Sequence, residues 1–214
     1  MAIICPTVLA STEHSFKEQM ERVASFAHRV QIDLMDGEFA PHKSVGLDQV
    51  WWPAGVKADI HLMYAEPLAV IEDITNLKPH LLITHAEASG NFFELAQVLK
   101  NHDIKVGLAI LKQTSVADIR PVIDELDHVL IFSGDLGSFG GHADMELLSK
   151  VQDLKNLKPE LEVGWDGGIN EHNITGLAQA GVDVLNVGGA IQRADNPAEA
   201  YARLEAMVEQ NTNG

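Results

Sequence analysis

The residues best suited to chemistry are two aspartates that interrupt short apolar runs. Asp33 stands in Gln31-Ile32-Asp33-Leu34-Met35-Asp36-Gly37, and Asp166 in Trp165-Asp166-Gly167-Gly168-Ile169. A carboxylate in apolar surroundings is expensive unless it is paired, hydrogen-bonded or bound to a cation. The first run supplies no cationic side chain beyond Arg29 at its start. Two carboxylates brought together suit proton transfer, one taking a proton while the other supplies one. His61, in His61-Leu62-Met63, reads on its own as a hydrogen-bonded core histidine. With two converging carboxylates it completes a three-ligand set with open positions, the arrangement of catalytic rather than structural zinc.

Glycine-rich turns form a second group: Ser138-Phe139-Gly140-Gly141, Gly167-Gly168 and Gly188-Gly189. A glycine pair alone marks only a turn. Placed after late strands and followed by a short helix, for which Ala190 to Arg193 is the candidate, such turns hold phosphate through backbone N–H groups. Thr7, Asp36, His85 and Glu87 are further polar residues at the ends of apolar runs. His85 reads as a supporting group, and His142 as solvent-facing.

The elements that must position these residues are legible as short β-branched, apolar segments. They are Ile3 to Val8, Val30 to Met35, Ala58 to Met63, Leu81 to His85, Lys105 to Ile110, His128 to Phe132, Leu161 to Trp165 and Val184 to Val187. Each is short enough for a parallel strand covered on both faces. Helical stripes lie between several of them, such as Phe16, Met20, Val23, Ala24 and Ala27, or Leu147, Leu148, Val151 and Leu154. A final helix is expected from Asn196 to Gln210, with Asn-Pro at its start. Strand then helix, about eight times, predicts an α/β fold, a (β/α)8 TIM barrel of residues 1–214 in a single domain, with its site at the carboxyl ends of the strands. An open doubly wound sheet is disfavoured, because no G-x-G-x-x-G turn follows the first strand. Alternation along the second strand turns Gln31, Asp33 and Met35 inward and Ile32 and Leu34 outward.

Composition narrows the partners. With 15 basic and 31 acidic residues the formal net charge is −16, which repels nucleic acid and anionic membranes. The single cysteine, Cys5, excludes an intrachain disulfide and suits a reducing compartment. No apolar run is long enough to span a bilayer, and the start lacks a charged leader, so the expected location is cytoplasmic. The sequence leaves room for a homo-oligomer.

Taken in order, these motifs resemble the ribulose-phosphate 3-epimerase family, also called phosphosugar 3-epimerases. Cys5-Pro6-Thr7-Val8-Leu9 is similar to its Pro-Ser-Ile-Leu opening, and Gln31 to Gly37 to His-x-Asp-x-Met-Asp-Gly. His61-Leu62-Met63 and Trp165 to Ile169 match a His-Leu-Met strand end and a Val-Asp-Gly-Gly-Ile turn. The resemblance implies a ribulose-phosphate-binding barrel that inverts C3 of a ketose phosphate through an enediolate, with Asp33 and Asp166 as the exchanging base and acid. It implies a divalent metal, zinc, manganese or magnesium, held by Asp33, His61, Asp166 and the residue at position 31. It also implies substrate contacts from Thr7, His61, Met35, Met63 and Phe132, and a phosphate grip from Gly140, Gly141, Gly167, Gly168, Gly188 and Gly189.

The sequence departs from that pattern in five places, the mildest being Thr7 for the usual serine, which keeps the hydroxyl. Gln31 replaces the first family histidine, and an amide carbonyl is a poorer zinc ligand than imidazole. Phe132 stands where a methionine shields the reaction centre, Gly189 replaces a serine, and Gly134-Asp135-Leu136-Gly137-Ser138 is one residue longer than its counterpart. The competing reading is a catalytically impaired, metal-poor barrel that binds sugar phosphate or regulates. A third, the hexulose-phosphate synthase group, needs an Asp-x-Lys-x-x-Asp array, and no such lysine follows Asp33.

Overall fold

The computed structural model describes residues 2–137 and 141–209. Eight parallel strands close into a barrel in sequence order: β1 (Ile3–Leu9), β2 (Arg29–Met35), β3 (Lys57–Met63), β4 (Leu81–His85), β5 (Lys105–Ile110), β6 (His128–Phe132), β7 (Glu162–Asp166) and β8 (Val184–Val187). This is the expected (β/α)8 barrel. The seventh strand begins one residue later than its apolar pattern suggests and runs into Asp166, whose carbonyl accepts from Ser133 N–H at 2.7 Å.

The crossovers are less uniform than the strands. Seven α-helices are described: α1 (Glu13–Val23), α2 (Ile71–Leu77), α3 (Phe92–Asn101), α4 (Leu148–Leu157), α5 (Ile174–Gln179), α6 (Gly189–Gln192) and α7 (Pro197–Glu209). Between β2 and β3 there is only a three-residue 3-10 turn, Leu47–Gln49, in a segment punctuated by Pro41, Gly46, Pro53 and Gly55. Between β5 and β6 a 3-10 stretch, Val116–Glu125, contains Pro121, which cannot donate to a continuing α-helical ladder. Elsewhere the local signals are ordinary: Thr12 caps α1 by accepting from Ser15 N–H, and Asn91 caps α3 by accepting from the N–H groups of Phe93 and Glu94.

Alternation along the strands divides the side chains between two environments. Ile32, Leu34, Ile60, Leu62, Val163 and Trp165 pack outward with the helices in one large core. Inside the barrel, Leu81, Ile83, Ala109 and Leu130 form a separate apolar plug on the β4 to β6 side. The β1 to β3 and β6 to β8 walls present polar groups instead. At the amino end Arg29 Nε meets Asp59 at 2.6 Å, and its two terminal nitrogens meet Glu162 at 2.8 and 2.9 Å. His128 Nδ1 lies 2.8 Å from the same Glu162. Gly164 accommodates that imidazole, since a Cβ there would come within 2.5 Å of His128 Nε2.

This network supports the floor beneath the site. Burial alone would raise the Glu162 carboxyl, but hydrogen bonds from Arg29 and His128 hold it well below its ordinary range. Burial carries Asp59 the other way, to about 6, despite its pairing with Arg29. Removing the guanidinium strands two carboxylates in a low-dielectric setting, so Arg29→Met is expected to destabilise the fold by roughly 3 kcal/mol near neutral pH. Glu162 has a folded pKa below its unfolded one, so its contribution is present above the unfolded value and is lost as pH falls. The gap between wild type and Arg29→Met, measured by urea unfolding, should therefore narrow toward pH 3; a gap that stays constant contradicts this account.

Candidate active site at the carboxyl end of the barrel

Register brings the chemical residues together. Asp33 pairs in the β2–β3 ladder with His61, and β7 ends on Asp166 beside Phe132 of β6. His61 Nδ1 is 3.1 Å from Asp33 Oδ1 and 3.9 Å from Asp166 Oδ2. Gln31 reaches across the barrel: its amide nitrogen donates to Asp33 Oδ1 at 2.9 Å and to Asp166 Oδ2 at 2.5 Å. Its carbonyl oxygen has no hydrogen-bond partner among the described residues. In this orientation Gln31 presents donor hydrogens to the carboxylates; a half-turn of the amide would present the oxygen.

The electrostatics follow from burial. Desolvation pushes Asp33 up to about 7, and desolvation together with the negative charge of Asp33 pushes Asp166 up to about 7. Burial lowers His61 to about 4, so its imidazole is neutral near pH 7. Around neutrality the two carboxyls are therefore poised to hold one proton between them.

His85 has a larger part than its sequence suggests. Its Nε2 is 2.8 Å from His61 Nε2, and its Nδ1 is 3.4 Å from Glu87 Oε2. Burial raises the Glu87 carboxyl, but the His85 ring beside it and hydrogen bonds from the Thr114 hydroxyl and Leu111 N–H bring it down to about 2, leaving a fixed anion. Lys150 pins the same segment by donating to the carbonyls of Leu111, Lys112 and Thr114. An anion beside His85 Nδ1 favours a proton there, which leaves His85 Nε2 to accept from His61 Nε2–H. The lone pair of His61 Nδ1 then faces Asp33 Oδ1, and two lone pairs at that distance require a proton or a cation between them.

That requirement, and the donor set, fit a divalent metal. Ligand atoms from Asp33, His61 and Asp166 all lie within 4.8 Å of one another, two oxygens and one imidazole nitrogen in a buried cleft.

A cavity of about 250 Å³ opens above this set. Of the expected site residues, the catalytic pair Asp33 and Asp166, the substrate contacts Thr7, Met63 and Phe132, and the phosphate-turn residues Gly141, Gly167, Gly168, Gly188 and Gly189 line it. His61 is completely buried beneath the cavity wall, 5.6 Å from the Phe132 ring between centroids. Met35 packs instead with Met63 and Ala40, against Leu9, Phe39 and Leu136. Gly140, with Ser138 and Phe139, lies outside the described residues. Gly167 and Gly168 are required as glycines: both have positive φ, and a Cβ on either would come within 2.1 Å of a backbone nitrogen, of Gly134 and Ala143 respectively. Asn170 and Asn173 tether that turn by donating to the Gly168 carbonyl at 3.0 and 2.9 Å.

Two further candidates resolve differently. Asp36 organises a loop: it accepts from the N–H groups of Glu38, Phe39 and Ala65, which lower its pKa against the effect of burial. His142 is exposed, as expected. Sequence reasoning missed Asn186 of β8, a buried amide in the cavity wall, and Arg193, which lines the cavity after α6. A polar residue inside the apolar run Val184 to Val187 was the available signal for the first.

Residues 3–192 match the ribulose-phosphate 3 epimerase family model. The chain is 29% identical to ribulose-phosphate 3-epimerase of Schizosaccharomyces pombe, over 97% of this chain and 94% of that one. It is 31% identical to the Helicobacter pylori protein of the same name, over 94% and 96%. Similar solved structures include 3-hexulose-6-phosphate synthase from Salmonella typhimurium (TM-score 0.72, 13% identity, 98% and 99% covered). Another is orotidine 5'-monophosphate decarboxylase from Sulfolobus solfataricus (TM-score 0.70, 14% identity, 99% and 100% covered); at these identities the likeness concerns the fold alone. Sequence, barrel and site converge: the chain belongs to the ribulose-phosphate 3-epimerase family, enzymes acting on carbohydrate phosphates.

Proposed function

We propose that this protein inverts C3 of a ketose phosphate, interconverting ribulose 5-phosphate and xylulose 5-phosphate or a closely related pair. The observation that carries the reading is the pair of buried Asp33 and partly buried Asp166, both raised to about 7 and both contacted by Gln31 beside a glycine-lined cavity. The C3 proton is acidified by the neighbouring C2 carbonyl. Asp33 removes it from one face, and Asp166, carrying the shared proton, returns one to the opposite face; the reverse direction exchanges their roles. Asp33, His61 and Asp166 would hold a divalent cation, whose positive charge would favour the enediolate oxygens.

The surrounding residues exclude water and position the sugar. Met63 and Phe132 give the cavity apolar walls, and Thr7 offers a hydroxyl to a substrate oxygen. Gly141, Gly167, Gly168, Gly188 and Gly189 give the phosphate access to backbone donors, with Arg193 nearby. Residues 1–214 act as one domain in this reading. No helix among the described residues is long and apolar enough to cross a membrane, and Cys5 is a free, buried thiol, which accords with a cytoplasmic setting.

One observation favours a second reading. The Gln31 amide nitrogen already contacts both carboxylates, which supports a metal-poor barrel that binds sugar phosphate without turning it over.

Incubation with ribulose 5-phosphate or hexulose 6-phosphates in deuterated water, with added zinc, manganese or magnesium, should place deuterium at C3. Asp33→Asn and Asp166→Asn should each lower that exchange by at least about 100-fold. Folded wild-type protein that exchanges no proton with any of these combinations would sink the catalytic reading in favour of the second.

Gln31→His should tighten zinc roughly tenfold or more, measured by competition with a chelator, because imidazole is the better ligand. Unchanged affinity would remove position 31 from the metal set. Metal removal has its own signature. Asp33 and Asp166 have folded values above the unfolded value of about 3.9, so their ionisation disfavours the fold as pH rises through about 7. In chelator, the stability advantage of Asp33→Asn over wild type should grow between pH 5 and pH 8 by urea unfolding; a flat difference contradicts the raised pair.

A further inference from the structure

Asn186 occupies a position that nothing in the proton-transfer scheme uses. It lies on β8 two residues before Gly188-Gly189, and its ladder partners are Asp166 on β7 and Cys5 on β1. The side chain is 2% exposed and lines the cavity that holds Asp33 and Asp166. Neither its amide oxygen nor its amide nitrogen has a hydrogen-bond partner among the described residues. Thr7 Oγ1, in the wall of the same cavity, is likewise buried and without a hydrogen-bond partner among the described residues.

A buried amide with both polar atoms unmet disfavours folding, and Val or Leu would suit the interior of a strand better. Two such side chains facing one cavity point to something that enters it. Thr7 is two residues along β1 from Cys5, the ladder partner of Asn186, so strand rise and spacing put the two Cα atoms about 8 Å apart. That gap leaves room for one oxygen between the side chains. Both groups are neutral and each can donate and accept, which matches a hydroxyl, itself one donor and an acceptor. A carboxylate at position 186 would add a third negative charge beside Asp166, and a lysine would compete with any cation there; an amide does neither.

We propose that Asn186 is a substrate-reading residue, whose amide, with the Thr7 hydroxyl, grips a hydroxyl of the sugar chain lying between the Asp33–Asp166 pair and the Gly188-Gly189 turn. The inference rests on the epimerase reading, which supplies a polyhydroxylated substrate. It adds a recognition element on the β8–β1 wall. The site then distinguishes sugars by the hydroxyl they place there, because an analogue lacking it leaves both groups unmet again.

The test compares wild type with Asn186→Leu, which keeps the branching at Cγ and carries no polar atoms, and Asn186→Ser, which restores one hydroxyl. Asn186→Leu is expected to unfold at a temperature equal to or above that of wild type, and to bind inorganic phosphate and zinc with unchanged affinity. Its kcat/KM for the sugar phosphate should fall by about 10- to 100-fold, and Asn186→Ser should recover part of the loss.

A kcat/KM within twofold of wild type overturns the proposal. So does a fall in unfolding temperature or a failure to fold, because an amide without a protein partner has no structural bond to lose. If wild type catalyses no C3 exchange, the epimerase reading fails separately, and calorimetric titration with ribulose 5-phosphate decides the role of Asn186. Weaker binding by Asn186→Leu supports it, and equal binding, or none by either protein, overturns it.

Discussion

Two carboxylates buried within reach of one amide cannot both stay ionised without something positive between them. Asp33 and Asp166 are in that position: desolvation lifts both toward neutrality, and the negative charge of Asp33 adds to the rise at Asp166. Three agents can relieve the strain: a shared proton, the Gln31 amide hydrogens, or a cation. All compete for the same small volume. The rest of the site is arranged around that competition, since a pair needing one positive charge can pass a proton, and a pair with a neutral imidazole at 3.1 Å can hold a metal.

The barrel keeps this demand from spreading. Charge at the opposite end is handled by Arg29, which gathers Asp59 and Glu162 into one network, and the apolar plug of Leu81, Ile83, Ala109 and Leu130 fills the far wall. Outside the cavity wall, Glu87 acts on the centre through His85. A permanently ionised group there biases the two imidazoles toward one arrangement of protons, and so turns the His61 lone pair to the carboxylates. The loop bearing Leu111 and Thr114 matters for this reason: it holds Glu87, and Lys150 holds the loop.

How much of this could be read from the chain depends on whether a feature is local or depends on closure. Strand positions were legible because β-branched runs and their alternation are local, and alternation alone turned Gln31 and Asp33 inward. The same local chemistry misled at Asp36, which has the composition of a site residue but lies past the strand and satisfies loop N–H groups. The crossover after β5 departs from an α-helix because one residue, Pro121, removes a donor. His85 could not be ranked from sequence, since its importance comes from a contact with His61 on the adjacent strand. Asn186 carried no motif. Its significance is the absence of partners, a property visible only when every neighbour is in place.

Gln31 shows why a change of one side chain can be more than the loss of a ligand. An imidazole at this position would offer the carboxylates a single nitrogen at a time, as donor or as ligand. An amide carries both functions at one end and exchanges them by a half-turn. Facing nitrogen inward, it gives hydrogens to both aspartates and leaves its oxygen unmet, the arrangement seen here. Facing oxygen inward, it offers a weak ligand and turns its hydrogens to the wall. The first state stabilises the ionised pair without a cation, the second only with one. Under the proposed reading, affinity for a metal would therefore be reduced twice, by a poorer donor atom and by a stable alternative that must be given up, while the aspartates keep the surroundings that set their proton affinity.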